Sequence, residues 1–433
     1  MNTPIYDFVK NYAVSDTLRL HMPGHKGISF LGCENLDITE ISGADALYGA
    51  DGIIAESEKN AAELFGSKAT FFSAEGSSQC IKAMLCLAKM KSGSKNFTVL
   101  ASRNVHKSFI YACGLLNIRV RWLFDESEKF SLCRCNITAH QLDIELKKEK
   151  ADAVFVTSPD YLGGELDIRA LSDVAHSHGA VMLVDNAHGA YLRFLPVSRH
   201  PMDLGADMCC DSAHKTLPVL TGGAYLHINN EKFITGAKKA MEMFGSTSPS
   251  YLILQSLDLC NAYLADGYKS RLCDCINKIE NLKKQLSSNG WQVQKSDPLK
   301  LTVLSSGMDL AEKLRKNGIE CEYEDPDYTV MMFTPETDER AYEKIVSAFG
   351  ICDTTTELPE MFLPVPEKCM EIADALFSES ESVSLSDAVG RVVADTSVGC
   401  PPAVSVVVSG EMISPETAEI MKYYGIDKIT VKK

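Results

Sequence analysis

The sequence predicts an α/β protein whose largest domain is a mostly parallel β-sheet covered by helices. From residue 56 to residue 228, short apolar segments alternate with segments of helical pattern. This alternation is typical of a parallel sheet with helices on its faces. Two of the apolar segments are followed closely by reactive polar residues, Asp185 and Lys215, which places the candidate site at strand ends. Beyond residue 290 the strand candidates are fewer, which predicts smaller α+β domains toward the C-terminus.

The elements of the large domain follow from period and turn signals. The first expected helix covers about Glu56–Leu64. The expected strands are Ala69–Ser73, Thr98–Ala101, Arg119–Leu123, Ala153–Val156, Val181–Val184, Ala206–Cys210 and Ala224–Ile228, the last of which could run antiparallel. The other expected helices are Cys80–Lys89, His106–Leu115, Thr138–Lys150 with Thr138 as its cap, and Ile168–His178.

The rest of the chain suggests further domains. Residues 1–55 lack a long periodic segment and are expected to form an extended arm with turns. The large domain is expected to cover 56–270, with a helical pattern from Ser250 to Leu286 that could connect it to a small α+β domain at 271–357. The strands expected in that small domain are Lys300–Leu304 and Thr329–Phe333. Three prolines in Leu358–Pro366 predict a linker. The features expected in a C-terminal domain at 367–433 are a helix, a turn at Gly399–Pro402 and a strand at Val404–Val408.

Composition excludes several classes of function. The net charge is −15, which argues against nucleic acid or an anionic membrane as partner. No apolar run approaches the ~20 residues of a membrane span, and no signal peptide is expected at the N-terminus. The 15 cysteines are scattered and predict reduced thiols in the cytoplasm. Neither Cys133-x-Cys135 nor the histidines around Pro23-Gly24 have the setting of a metal site, so no metal is expected.

The run Asp211-Ser212-Ala213-His214-Lys215 is the strongest functional signal. It follows an apolar strand, and Asp185 ends another strand thirty residues before Lys215. Pyridoxal phosphate (PLP) chemistry needs a lysine that forms a Schiff base and a carboxylate that keeps the pyridine nitrogen protonated. Ser212 and His214 could hold the phosphate or the lysine itself. The order of the two motifs therefore predicts a PLP site.

Other residues fit such a site, although each also has a simpler interpretation. Gly76, Ser77 and Ser78 stand between a strand and a helix, where backbone N–H groups and hydroxyls bind phosphate; alone, they could be a turn. His106 could stack on the pyridine ring and move protons, or simply start a helix. His188 could reach the cofactor's phenolic oxygen or the substrate carboxylate, or be an ordinary loop histidine.

With these residues together, the chain resembles the Orn/Lys/Arg decarboxylase family, in its short form without the N-terminal wing domain. The resemblance covers nearly the whole length. Its motifs are His21–Gly27, Gly76–Ser78, Arg103–Ser108, Thr157–Pro159, Asp185–Ala190, Ser212–Leu217 and Ser246–Tyr251. It implies an aspartate-aminotransferase-like PLP fold. It also implies decarboxylation of arginine, lysine or ornithine to an amine of polyamine biosynthesis.

The family motifs also imply a role for each matching residue. Lys215 would carry the cofactor, Asp185 would pair with its ring nitrogen, and His106 would stack on the ring. The residues implied around the phosphate are Gly76, Ser77, Ser78, Ser212 and His214, with His188 near the phenolic oxygen. Thr247 would reach the phosphate of a neighbouring subunit, because family sites form at the interface of a homodimer or a higher homo-oligomer.

Some positions depart from the family pattern, and alternatives remain. Pro401–Ser405, Ser409–Glu411, Gly222 and Glu75 differ from the residues common in the family, which bears on substrate choice. Candidates for binding the distal cation of the substrate are Asp45, Asp51 and Glu411. An aminotransferase, or a non-catalytic relative that regulates polyamine synthesis, stays possible from the residues alone. The sequence does not rank the three substrates, since one methylene is worth only about 1–3 kcal/mol.

Overall fold

A seven-stranded β-sheet is built from the apolar segments that alternate with helices. The computed structural model describes residues 1–125, 130–396 and 402–433. The strands are β1 (Ala69–Ser73), β2 (Thr98–Ser102), β3 (Arg119–Leu123), β4 (Ala153–Thr157), β5 (Val181–Asp185), β6 (Met208–Asp211) and β7 (Ala224–Ile228). Their order is β1-β7-β6-β5-β4-β2-β3. The pairs β2–β3, β2–β4 and β5–β6 are parallel, whereas β7 runs antiparallel to β1 and β6, as its sequence suggested.

Helices join these strands, which confirms the predicted α/β class with a mostly parallel sheet. The α-helices between the N-terminus and residue 288 are α1 (Pro4–Ala13), α2 (Ile53–Phe65), α3 (Gly76–Ser92), α4 (Lys107–Leu115), α5 (Ala139–Lys148), α6 (Ile168–Ser177), α7 (Ala213–Thr216), α8 (Ala237–Glu242), α9 (Tyr251–Ala265) and α10 (Tyr268–Ser288). Thr138 caps α5 as expected, since its side chain accepts a hydrogen bond from the Gln141 N–H.

The chain divides into two compact units. One comprises Met1–Ser94 and Ile168–Ser270, and the other comprises Lys95–Asp167 and Arg271–Lys433. The first unit holds β1, β5, β6 and β7, and the second holds β2, β3 and β4. The four-part domain division expected from the sequence stays a prediction.

The second unit also holds two smaller antiparallel sheets. One has the order β10-β11-β9-β8 and the other has the order β12-β14-β13. Their strands are β8 (Gln292–Val293), β9 (Lys300–Leu304), β10 (Tyr323–Glu324), β11 (Tyr328–Met332), β12 (Ser380–Ser384), β13 (Val393–Asp395) and β14 (Lys428–Lys432). The accompanying helices are α11 (Gly307–Lys316), α12 (Arg340–Phe349), α13 (Ile372–Leu376), α14 (Leu385–Ala388) and α15 (Pro415–Tyr423). The two strands predicted between residues 290 and 350 are thus confirmed as β9 and β11.

The N-terminal segment contains a helix where the sequence predicted an extended arm. In α1, Ile5 and Val9 are one helical turn apart and fully buried. The backbone N–H groups of Ile5 and Tyr6 both donate to Asp258 Oδ2, at 2.9 Å each. A helix leaves its first N–H groups without partners within the helix. The carboxylate that satisfies them lies some 250 residues away in the sequence, so local patterns did not indicate this helix.

The segment Val404–Val408 is buried, but the predicted strand is wrong. Val404 forms an isolated bridge with His106, and the following residues pair with side chains instead of another strand. The Val406 carbonyl accepts from Arg103 Nη2 at 2.9 Å, and the Val408 N–H donates to Glu411 Oε2 at 2.9 Å. The apolar run therefore reflects burial on all sides, with backbone groups satisfied by buried charged side chains.

The helical pattern from Ser250 to Leu286 is not continuous, because it breaks between α9 and α10 at Asp266-Gly267, where Gly267 has a positive φ of 68°. That backbone conformation favours glycine.

The turn predicted at Gly399–Pro402 lies largely outside the described residues.

Asp160 gives the second unit a pH-dependent stability. Burial raises the pKa of Asp160 from 3.8 to about 6, although the Gly164 N–H donates to its carboxylate at 2.8 Å. A raised folded-state pKa means that its stabilising contribution is present below about pH 4 and is lost as the pH rises through about 6. We expect Asp160→Asn to remove this contribution. Between pH 4 and pH 7 the wild type should therefore lose roughly 1–3 kcal/mol of unfolding free energy relative to the variant, as measured by urea unfolding. Equal pH slopes for the two proteins would contradict this assignment.

Candidate active site

Lys215 lies on α7, the single helical turn that follows β6. Its Nζ is 3.0 Å from Nε2 of His188. His188 belongs to the loop after β5 and is only 4 % exposed to solvent. Because β5 and β6 are neighbouring parallel strands, their carboxyl ends meet at the same edge of the sheet. The structure therefore brings Lys215 and His188 together, as expected for residues of one site.

Asp185 is the last residue of β5 and lies at the same edge. It is buried, and its Oδ1 accepts from the Ala187 N–H at 3.2 Å and from the Cys210 thiol at 3.5 Å. Burial raises the pKa of Asp185, while the positive charge of Lys215 lowers it. A cationic partner stabilises the charged form of a buried carboxylate. A protonated pyridine nitrogen would be such a partner.

The predicted phosphate-binding residues surround the start of α3. The Ser212 hydroxyl donates to Ser77 Oγ at 2.7 Å, which joins the segment before Lys215 to the first turn of α3. Gly76 has a φ of +72°, and a Cβ there would meet no atom within 4 Å. Its N–H donates to the Gly222 carbonyl at 2.7 Å. Ser78 lies in the same helical turn, so hydroxyls and N–H groups gather at a helix N-terminus, which suits a phosphate.

Gly222 explains one departure from the family pattern. It has a φ of +98°, and a Cβ there would come within 3.1 Å of the Ala74 carbonyl. The neighbouring Gly223 carbonyl lies 3.1 Å from His214 Nδ1, so the His214 ring is placed against this turn. The glycine therefore allows the turn after α7 to hold both His214 and the start of α3.

The lysine, the carboxylate, the hydroxyls and the helix N-terminus all belong to the first unit, and they fit PLP. His106 and Thr247 are the remaining predicted residues of the site. His106 belongs to the second unit, where it caps α4: its Nδ1 accepts from the Ser108 N–H at 3.1 Å. Thr247 is exposed in the segment between α8 and α9. The roles inferred for these two residues stay predictions.

A buried ion pair in the second unit was not predicted from the sequence. Arg103 donates to both carboxylate oxygens of Glu411, at 2.8 and 2.6 Å, and both residues are nearly inaccessible to solvent. The guanidinium also lies 4.9 Å from the Trp122 ring. The pair joins the motif that contains His106 to the Ser409-Gly410-Glu411 motif. The signal available was that both residues stand in family motifs, but nothing in the sequence indicated their pairing.

The candidates for binding the distal cation of the substrate have differing surroundings. Glu411 is already engaged by Arg103. Asp45 accepts hydrogen bonds from the backbone N–H groups of its own loop, including those of Ala46 and Gly52. Asp51 is exposed. Asp45 and Glu411 thus have structural partners of their own.

Family comparison identifies the chain. The family model described as "Orn/Lys/Arg decarboxylase, major domain" matches residues 3–305, and the model of the C-terminal domain of the same family matches residues 355–429. The chain belongs to the Orn/Lys/Arg decarboxylase family. Its members are PLP-dependent decarboxylases of basic amino acids, and this chain is such an enzyme.

Individual relatives agree with this assignment. An arginine decarboxylase of Bacillus subtilis is 30% identical, with 96% of this chain and 92% of the relative covered. An arginine decarboxylase of Halalkalibacterium halodurans is also 30% identical, over 95% of this chain and 91% of the relative. The crystal structure of a Francisella novicida lysine decarboxylase has 17% identity and a TM-score of 0.80, and covers 99% of this chain and 79% of that chain. This last likeness shows the fold.

Among the described residues, the helices are too short or too polar to cross a membrane.

Proposed function

We propose that this enzyme converts L-arginine to agmatine and CO2 on a PLP cofactor carried by Lys215. The observation that carries the site assignment is the 3.0 Å contact between Lys215 Nζ and His188 Nε2, at the strand edge that also holds the buried Asp185. Arginine is favoured over lysine and ornithine because the two 30%-identical relatives, matched over nearly their whole lengths, are arginine decarboxylases. The product would enter polyamine synthesis.

The predicted site residues would divide the binding of the cofactor among them. Asp185 would hold the ring nitrogen in its protonated form. The first turn of α3, with Gly76, Ser77 and Ser78, would bind the phosphate together with Ser212 and His214. His106 would stack on the ring. When bound, PLP supplies an electron sink for the electron pair that CO2 leaves behind.

Lys215 and His188 would hold and transfer the protons of the reaction. Their 3.0 Å contact allows Nε2 of His188 to share a proton with Nζ of Lys215. Lys215 can then return a proton to the substrate Cα after CO2 has left, and His106 is the other candidate for this step. Because Asp185 and His188 are buried, the reaction would run with little water, which favours loss of the carboxylate's charge.

The complete site is proposed to form in a homodimer or a higher homo-oligomer. The exposed position of Thr247, in a single chain, supports a role at the phosphate of a neighbouring subunit. A cytoplasmic location is proposed from the cysteines, since those in the described part of the chain are free thiols.

The test is a substrate screen on the purified protein loaded with PLP. We expect CO2 release with L-arginine, at a kcat/KM at least about tenfold above that with L-lysine or L-ornithine. The matched control is the same preparation with D-arginine. Faster release from lysine or ornithine would overturn the choice of arginine. Bound cofactor without CO2 from any of the three would overturn the proposed reaction.

A further inference from the structure

A buried carboxylate lies one residue before Ser212, next to the candidate site. Asp211, the last residue of β6, is fully buried. Its Oδ2 accepts from Nε2 of His200 at 2.9 Å and from Nε2 of His227 at 3.2 Å. Its Oδ1 accepts from Nδ2 of Asn186 at 2.6 Å. Asn186 directly follows Asp185, so this carboxylate connects the segment that carries Asp185 with the segment that carries Lys215.

Strand register places the network on the opposite face of the sheet from Asp185. Asp185 is paired with Cys210, whereas Asn186 and Asp211 each come one residue later. Successive side chains of a strand point to opposite faces. His227 is paired with Cys209, which shares the face of Asp211. The network can therefore support the two strand ends from behind, without occupying the space around the Asp185 carboxylate.

Both histidines of the network donate to Asp211 through Nε2. The Met202 N–H donates to Nδ1 of His200 at 3.3 Å, so the proton of the His200 ring is on Nε2 and points at Asp211. Burial lowers the pKa of His227, although Asp211 opposes this. Burial would raise the pKa of Asp211, but the two histidines lower it well below its usual range. Asp211 is therefore an anion held by hydrogen bonds.

Hydrogen bonding also explains a cluster that resembles a metal site. Ligand atoms of His200, Cys209 and Asp211 lie within 4.8 Å of one another. Because Nε2 of His200 carries the proton, its lone pair is not available to a metal. The Phe65 ring packs against the rings of both His200 and His227, with centroids 5.5 and 4.5 Å away, and separates the network from water. In such surroundings hydrogen bonds are strong, and an unpaired group is costly.

We propose that Asp211 is a positioning residue of the cofactor site, which acts through Asn186 to hold the Asp185–His188 loop against the Ser212–Lys215 segment. The inference rests on the proposed function of Asp185 and Lys215. Gly189 provides independent support, because a Cβ at this position would lie 2.1 Å from Oδ1 of Asn186. The absence of a side chain at residue 189 leaves room for the amide that Asp211 holds.

The first test is Asp211→Asn, with PLP affinity as the readout. An asparagine can still accept from the two histidines through its oxygen, but its amide then faces the amide of Asn186, donor against donor. We expect the Kd for PLP, measured by fluorescence titration of the apoprotein, to rise about tenfold or more. The reciprocal variant, Asp211→Asn with Asn186→Asp, restores a donor and an acceptor and should recover most of the affinity.

Asp207→Asn is the matched control. Asp207 directly precedes β6 and, like Asp211, is buried. Its Oδ2 lies 2.8 Å from Nε2 of a histidine, His176. We expect this variant to lower the unfolding midpoint of the apoprotein and to leave the Kd for PLP unchanged. If the role of Asp211 were purely structural, Asp211→Asn would likewise lower the unfolding midpoint and leave the Kd for PLP unchanged.

A second variant, Gly189→Ala, tests the same proposal if Asp211→Asn does not fold. Gly189→Ala displaces the Asn186 amide without changing any member of the network, and it should also weaken PLP binding. Wild-type Kd in folded Asp211→Asn, or in Gly189→Ala if Asp211→Asn does not fold, would overturn the proposal. Failure of the proposed function is distinguishable, because the wild type itself would then bind no PLP.

Discussion

Lys215→Ala is expected to lower kcat for decarboxylation by about 10³-fold or more, and to abolish the visible absorbance of the lysine-bound cofactor. The reason is that the amine of Lys215, whose Nζ lies 3.0 Å from Nε2 of His188, would both carry PLP and return a proton. The measurements are CO2 release with L-arginine and the absorbance spectrum of the PLP-loaded protein.

Lys215→Arg is the control for charge. It keeps a cation near Asp185 but replaces a reactive amine with a guanidinium that is always protonated. We expect it to be as inactive as Lys215→Ala while retaining more of the wild-type affinity for PLP. Lys239→Ala, on the exposed face of α8, should be fully active. Substantial activity in either Lys215 variant would contradict the assigned role.

Asp185→Asn is expected to lower kcat by about 10²–10³-fold and, at the same time, to stabilise the apoprotein. The neutral amide cannot hold the ring nitrogen protonated, which weakens the electron sink. In the absence of cofactor, however, the charge of Asp185 is buried, and burial raises its pKa. An ionised Asp185 therefore opposes folding at neutral pH, and removing its charge should add about 0.5–2 kcal/mol of unfolding free energy.

The sign of this stability effect has its own test. The penalty is present when the pH is above the folded-state pKa of Asp185 and disappears below the ordinary pKa of aspartate, where the carboxyl is protonated in both states. We thus expect the stabilisation of apo Asp185→Asn to be largest near pH 7 and to shrink toward pH 4, as measured by thermal unfolding. Saturating PLP should reverse the order, with the wild type becoming the more stable protein. A variant less stable than the wild type in the apo form would contradict the proposed conflict between folding and catalysis.

Local sequence predicts the strands of the large sheet and the candidate site residues at their ends. Strands such as β4 and β5 consist of continuous apolar segments, Ala153–Val156 and Val181–Val184, because both faces of each strand are covered, and such segments can be recognised without knowing their neighbours. Lys215 and Asp185 are predictable as candidate site residues because Lys215 stands just after such a segment and Asp185 stands at the end of another. Parallel strands bring their carboxyl ends to one edge, which is why the candidate site could be expected there.

Tertiary structure alone decided the partners of charged groups far apart in the chain. Asp258 satisfies the first turn of α1, Glu411 pairs with Arg103, and Asp211 binds Asn186, His200 and His227. No local period indicates such a pair, because the two members belong to separate elements and their bond depends on how those elements pack. For the same reason, the strand predicted at Val404–Val408 is wrong: its apolar pattern reflects burial, whereas side chains of Arg103 and Glu411 bind the Val406 carbonyl and the Val408 N–H.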